Sequence, residues 1–530
     1  MALNRLDREF RHEGISYLDY KQLEMDRVLT ALLPRLWWGG QRSVIARSRD
    51  LTIEDFTETI AEHQEAFEGF DPATTRRWVE THLLDMVSRG KPTQAVAGLR
   101  PLHGFTYRFR NSRRSRSYGA DEQIYEMLGH ASSNIGPLAL NDLKEFFFTG
   151  VDTPTQTPRP GDDVDVETQA LISLSEAVRN EINDRPVADR NHRSYPPLYQ
   201  QAADLLAEDV LRLLAHQRLI PRTVLVEYLK ILFAFHLSVY HLNAMKLLPA
   251  LLCGEASARA DGGFFLDVTG LPGAAPALLA ERSAAAWYGR IPGFIRAAFT
   301  VKKLDDFAQY LVKLGQLPRP PGGFFPVSDL LALLGPRRRE ERLRYAAGRL
   351  SAIEDARDRD ADEDPEYAQL LQLGTDEFTT YVEIVTHNRI GFHRKYLTDC
   401  LDSLLLKNRP GAMIAQPRRG QRRFTLDSRL LEVLLQLSLL GVDSRRSSFY
   451  TKSLRIDEFL DLLRDRYGLC IDHLPDGDGF GPAIVTDHAA LRQNRAAFIA
   501  RLREIGFYSD LSDAYLTQTI TPRYTIKADA

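Results

Sequence analysis

LDSRLLEVLLQLSLL, residues Leu426 to Leu440, and RIDEFLDLLRDRYGLCID, residues Arg455 to Asp472, decide how this chain is read. In the first stretch Asp427 stands where a side-chain oxygen accepts the free N–H groups that open a helix. Leu430, Leu431, Leu434, Leu435, Leu437 and Leu440 then make a wide apolar face at helical spacing. In the second stretch Asp457 lies near a helix start, with Phe459, Leu460, Leu462 and Leu463 inside it. Leu469, Cys470 and Ile471 follow as an apolar strand, Pro475-Asp-Gly-Asp-Gly as a turn, and Pro482 to Val485 as a returning strand.

Two helices followed by strand, turn and strand resemble a winged-helix module, a device for contacting DNA or a protein partner. Its edges are basic. Arg418, Arg419, Arg422 and Arg423 precede the first helix, and Arg445, Arg446, Lys452 and Arg455 lie between the two. Cations on flanking loops and a helix N-terminus fix the register of a protein on phosphates. Asp461 and Asp465 dilute the field of the second helix. Three readings therefore stand: DNA contact, protein contact, and a helical pair with solvated arginines. A second cluster, Arg108, Arg110, Arg113, Arg114 and Arg116, is interleaved with Phe105, Tyr107, Phe109 and Tyr118. It reads as a strand running into a charged loop. Phosphate-neutralising cations beside aromatics that can stack suit a nucleic-acid strand; a solvated hairpin tip is the alternative.

Most of the remaining chain follows a helical period. Leu18 to Leu33 predicts a helix ended by Pro34. Thr52-x-x-Asp55 marks a helix start, and Asp71-Pro72 caps another. The composition divides the chain into an α-rich part over 1–152, a Pro-rich linker over 153–167, a central helical part over 168–336, a charged boundary over 337–366, and a C-terminal winged-helix-like part over 367–530. The fold class expected is mainly α and multidomain, with a small β element near the C-terminus.

With 530 residues, 44% hydrophobic and 26% charged, the chain has the composition of a globular protein of several cores. Its net charge of −3 excludes a polyelectrolyte binder that is basic throughout, so any nucleic-acid contact is local. Three widely spaced cysteines, Cys253, Cys400 and Cys470, fit neither a disulfide framework nor a zinc knuckle. The apolar run Val224 to Cys253 is interrupted by Glu227, Lys230 and His236 and reads as a buried helix, not a membrane span. His236 and His241, five apart, do not share a face and read as core histidines; His387 and His393 are candidates to line a pocket. No phosphate-cradling Gly-x4-Gly-Lys loop is present. Asp261 and Asp267 lack the nearby Glu-x-Lys of a metal-dependent nuclease, and Cys470 reads as packing. The expectation is a cytoplasmic protein with no membrane contact, no cofactor, no metal and no catalytic residue.

SSNIGPLALNDLKEFFFTG, Ser132 to Gly150, taken with Leu430 to Asp472, resembles accessory proteins of multi-gene bacterial antiphage systems. The methylation-associated defence system is the first such family, and the non-ATPase partner in phosphorothioation-dependent restriction is the second. The resemblance implies a protein working in a complex beside an ATPase, and it carries over no catalytic residue. The function expected is a non-enzymatic DNA-binding or scaffolding subunit of a restriction complex. The alternatives are a divergent Mg-dependent nuclease effector, a module used only for protein docking, and a transcriptional regulator of the locus.

Overall fold

The segment Arg222–Leu252 is one continuous helix of 31 residues, and its apolar residues circle the axis instead of forming a stripe. Such a helix has no face to offer water and belongs at the centre of a fold. Leu225, Leu229, Phe233, Leu237 and Leu248 are all buried. By length and composition the helix could cross a membrane, yet 78% of its most apolar window lies inside the protein. The charge that interrupts it is answered locally: buried Lys230 meets Asp26 at 3.0 Å and Glu227 at 2.6 Å.

The structure is a computed structural model and describes residues 3–45, 49–63, 71–85, 96–152, 155, 157, 159, 164–179, 182, 184–187, 194–255, 261–360, 369–371, 374–417, 420–443, 448–508 and 519–527. Among its elements are α1 (Met25–Trp37), β1 (Arg42–Ile45), α2 (Ala120–Gly129), α3 (Ile135–Phe147), β2 (Asp184–Val187), α4 (Gln200–Leu214) and the central helix, α5. There follow β3 (Phe264–Phe265), α6 (Ala275–Tyr288), α7 (Ile291–Lys313), α8 (Arg339–Asp360) and α9 (Glu377–Leu405). The C-terminal part holds β4 (Ile414–Ala415), β5 (Arg423–Phe424), α10 (Ser428–Ser438), β6 (Leu440–Asp443), β7 (Ser448–Thr451) and β8 (Leu454–Arg455). It continues with α11 (Ile456–Tyr467), β9 (Leu469–Cys470), α12 (Val485–Glu504) and β10 (Thr519–Ile520). With 59% of the chain helical and only small, scattered strand pairs, the fold is mainly α and multidomain in scale.

Helix α5 packs against α4, α7, α9 and α10, and α9 in turn against α7 and α8. One hydrophobic cluster runs from Leu3 to Ile520 and passes across the divisions read from composition. Helix α8, from the charged boundary, is not wholly solvated: Ala346, Leu350 and Ile353 are buried. Residues 361–366 of that boundary, and much of the Pro-rich linker, lie outside the described residues. The N-terminal segment is tied down by buried polar groups. Asp7 accepts from Tyr381 Oη at 2.6 Å and pairs with Arg349. The fully buried Lys303 donates to the Leu6 carbonyl at 2.7 Å, and Ser16 meets His241 Nε2 at 2.8 Å.

Several local expectations are corrected. The winged-helix order fails at its wing: β9 pairs in parallel with β3, Phe264 opposite Leu469, and not with Pro482–Val485. Val485 instead opens α12, where Asp487 reaches back to the Ile484 N–H at 3.0 Å. The hairpin of this region is β6–β7, between the two helices. The segment 104–109, expected as a strand, is a 3-10 helix with every residue buried. Pro34 does not stop α1 but sits in its last turn, and the helix begins only at Met25.

Candidate nucleic-acid interface

A cleft of about 1150 Å³ opens where four separate segments meet: the N-terminal stretch 8–21, β1 with part of α1, the loop 110–119, and the middle of α9. Two of its tyrosines sit in left-handed backbone, Tyr20 at φ 48° and Tyr118 at φ 52°. L-residues adopt that region at a cost, and such strain gathers at functional sites. The loop is held close to the N-terminal stretch. The Asp19 N–H donates to the Tyr118 carbonyl at 2.9 Å. Gly119 (φ +83°) lies so near Tyr17 that a Cβ there would meet its carbonyl oxygen at 2.1 Å. Only glycine satisfies both the backbone and the contact.

Eight cations line the cleft, Arg8, Arg11, Lys21, Arg35, Arg42, Arg110, Arg116 and Arg389, against four carboxylates, those of Glu13, Asp19, Asp121 and Glu122. The carboxylates are taken up by two of the arginines. Arg11 pairs with Asp19 at 2.9 Å and Glu13 at 3.2 Å. Arg35 pairs with Asp121 at 2.6 Å and Glu122 at 3.1 Å. Burial works against the Asp121 charge, but Arg35 outweighs it and holds that carboxyl below its ordinary value. Lys21 and Arg389 lie on aromatic rings instead. Lys21 Nζ is 3.4 Å from the Tyr396 ring centroid and the Arg389 guanidinium is 4.3 Å from that of Phe392. Neither has an ion-pair partner within 4.0 Å among the described residues. His393, one residue along from Phe392, stacks on Phe10 at 4.1 Å. Its Nε2 is buried with no hydrogen-bond partner among the described residues. Burial, then the Arg389 and Lys21 charges, push this histidine down to about 4, so it is neutral at pH 7.

The residues singled out in sequence divide between this cleft and the interior. Arg116 lines the cleft and is exposed; Arg113 is exposed beside it, and Arg114 pairs with Asp50 at 3.3 Å. Arg108 is buried, 3.8 Å over the Phe105 ring and 3.5 Å from Asp184. Arg110 touches the cleft but donates to the Ser43 carbonyl at 2.5 Å. The 3-10 turn explains this, because it buries the arginines with the aromatics that alternate with them. In the C-terminal part Arg423 is buried against Asp267 at 3.1 Å. Arg422 pairs with Asp402 at 2.6 Å and covers the Tyr288 ring. Arg455 pairs with Glu458 at 3.3 Å, and Lys452 is exposed. Arg418, Arg419, Arg445 and Arg446 lie outside the described residues.

Sequence reading missed Lys21, Arg389 and Tyr396. Their signal was present: YLDYK (17–21) and RIGFHRKY (389–396) interleave aromatic and basic residues as 105–118 does. Asp267, the loose nuclease candidate, is spent on Arg423 and on capping Thr269. Among the described residues no group of three His, Cys, Asp or Glu side chains is placed to hold a metal. Burial pushes the Cys470 thiol up to about 12, which suits a packed residue and not a nucleophile.

Fold and cleft together define a mainly α protein that presents a large groove rich in arginine and aromatic side chains. The chain belongs to the family of the methylation-associated defense system protein MAD7, whose model matches residues 5–524. It is thus a defence-system protein. No curated protein and no solved structure matches it.

Proposed function

We propose that this protein is a non-enzymatic, DNA-contacting and scaffolding subunit of its defence complex, working in the cytoplasm beside an ATPase. The nucleic acid lies in the basic, aromatic cleft. The observation that supports this most is the pair Lys21 and Arg389, cations resting on Tyr396 and Phe392 with no carboxylate paired to either among the described residues. A phosphodiester supplies the missing anion, and a base supplies a ring for the aromatics. Reversal of both charges, Lys21→Glu with Arg389→Glu, removes oligonucleotide binding in a mobility-shift assay, while Lys452→Glu in the C-terminal part leaves it intact. Binding by the cleft variant equal to the wild type would overturn the assignment.

Protein docking is supported at a separate place. Ile484 and Val485, 63% and 86% exposed at the start of α12, leave two branched apolar side chains in water. In the co-expressed defence system, Val485→Asp reduces co-purification of the ATPase subunit if this edge is a docking point. Unchanged recovery would remove it.

A further inference from the structure

A second cleft, of about 660 Å³, lies where α4, α5 and α11 meet the loops at 261–263 and 474–476. Its character is opposite to that of the basic cleft. Aromatic side chains line it, including Tyr199 and Tyr240, stacked with centroids 5.2 Å apart and planes 13° apart. Its charged lining is acidic, with five carboxylates against two guanidiniums. Both guanidiniums are already engaged. Arg464 pairs with Asp461 and Asp465, at 2.7 and 3.0 Å. Arg466 pairs with Glu208 at 2.9 Å and buried Asp209 at 2.6 Å. Asp261 and Asp476 are exposed on the rim with no ion-pair partner among the described residues.

An independent feature points to the kind of ligand. Asn243, 6% exposed, lines the cleft, and its Oδ1 is buried with no hydrogen-bond partner among the described residues. The Tyr199 hydroxyl donates to the Tyr240 carbonyl at 3.3 Å, and the Asn243 side chain lies next to it in the cleft lining. Asn243 Oδ1 is an acceptor awaiting a donor. Gly262 packs directly beside that oxygen: a Cβ there would stand 2.6 Å from it and 2.2 Å from the Trp287 ring.

We propose that this cleft binds an extended organic cation carrying primary ammonium or guanidinium groups. Aromatic faces attract such a cation, the carboxylate rim neutralises it, and Asn243 Oδ1 accepts one of its N–H groups. The rim repels phosphate-bearing ligands, which separates this site from the basic cleft. The cation comes either from a free polyamine or from lysine and arginine side chains of a protein segment.

The test is calorimetric titration of the full chain at low salt with spermidine and, separately, with a tetralysine peptide. Saturable binding of spermidine alone supports the site with a free polyamine as its source, and binding of the peptide supports it with a protein source. Asp261→Lys with Asp476→Lys weakens binding at least tenfold. The reversals Glu58→Lys with Glu340→Lys, outside the cleft and equal in net charge change, do not. Asn243→Leu weakens binding with the rim intact. No saturable binding of either probe, or equal weakening by the two double reversals, overturns the proposal. Neither result bears on oligonucleotide binding in the other cleft.

Discussion

Salt dependence of oligonucleotide binding follows from the charges of the basic cleft. Of its eight cations, Arg11 and Arg35 are neutralised by neighbouring carboxylates, Arg110 is committed to the Ser43 carbonyl, and Arg42 is engaged in an interaction of its own. Arg8, Lys21, Arg116 and Arg389 have no ion-pair partner within 4.0 Å among the described residues and are the cations available to phosphates. Four neutralised phosphates release enough counterions to give a slope of log K against log salt of about −3 for a single strand, or about −3.6 for a duplex. Raising salt from 50 to 200 mM therefore lowers affinity about 50-fold for a single strand and about 150-fold for a duplex. Lys21→Gln with Arg389→Gln removes two of the four and flattens the single-strand slope by about 1.4. The assay is fluorescence anisotropy with a labelled oligonucleotide at five salt concentrations. A wild-type slope shallower than about −1, or a double variant with the wild-type slope, would show that the phosphates are held elsewhere.

Three further outcomes follow from the buried polar groups and the loop. Asp209, fully buried, accepts from His236 at 3.0 Å, Arg466 at 2.6 Å and Tyr467 at 3.2 Å. Asp209→Ala leaves those donors stranded and destabilises the protein by about 3 kcal/mol, the low end for a broken buried pair because Arg466 keeps Glu208; an unchanged urea midpoint refutes it. Burial pushes His103 down to about 3 and His241 to about 4, and His393 also lies near 4. The unfolded chain therefore binds more protons than the native one below about pH 6.5, so the melting temperature falls as pH drops from 6.5 toward 4, before most carboxylates titrate. A flat profile over that window contradicts the burial of these rings. Gly119→Ala forces a side chain into left-handed backbone and against the Tyr17 carbonyl. It costs at least about 1 kcal/mol from the backbone alone and weakens oligonucleotide binding by displacing the loop; wild-type stability and affinity would refute it.

Local signals gave the helices away. Asp71 caps the helix Pro72–Trp78 by accepting from the Ala73 and Thr74 N–H groups, and Thr52 and Asp55 exchange capping bonds, each as the spacing predicts. The apolar run Val224 to Cys253 reads as a buried helix, and the helix Arg222–Leu252 is one. Strands were not legible in the same way, because these pairs are two to four residues long and three of the five described pairs join strands distant in sequence. Leu469 and Cys470 look alike as a wing strand or as partners of Phe264 and Phe265. The candidate site was legible only in part. Its 110–118 segment advertised itself by density of arginine, whereas Lys21 stands alone in 17–21 and Arg389 is one of three cations in 389–396, and only the packing of the N-terminal stretch on α7 and α9 brings the two together. Density of charge also misled. Arg108 and Arg423 are spent on Asp184 and Asp267, carboxylates far off in sequence that no local pattern pairs with them.

Photocrosslinking tests the central claim most directly. The full chain is irradiated with an oligonucleotide carrying 5-bromouracil, and adducts are located by mass spectrometry. The account predicts crosslinks at Tyr396, Phe392 and Tyr118, the rings beside the unneutralised cations. Crosslinks confined to residues outside the cleft, such as those around Lys452, would contradict it.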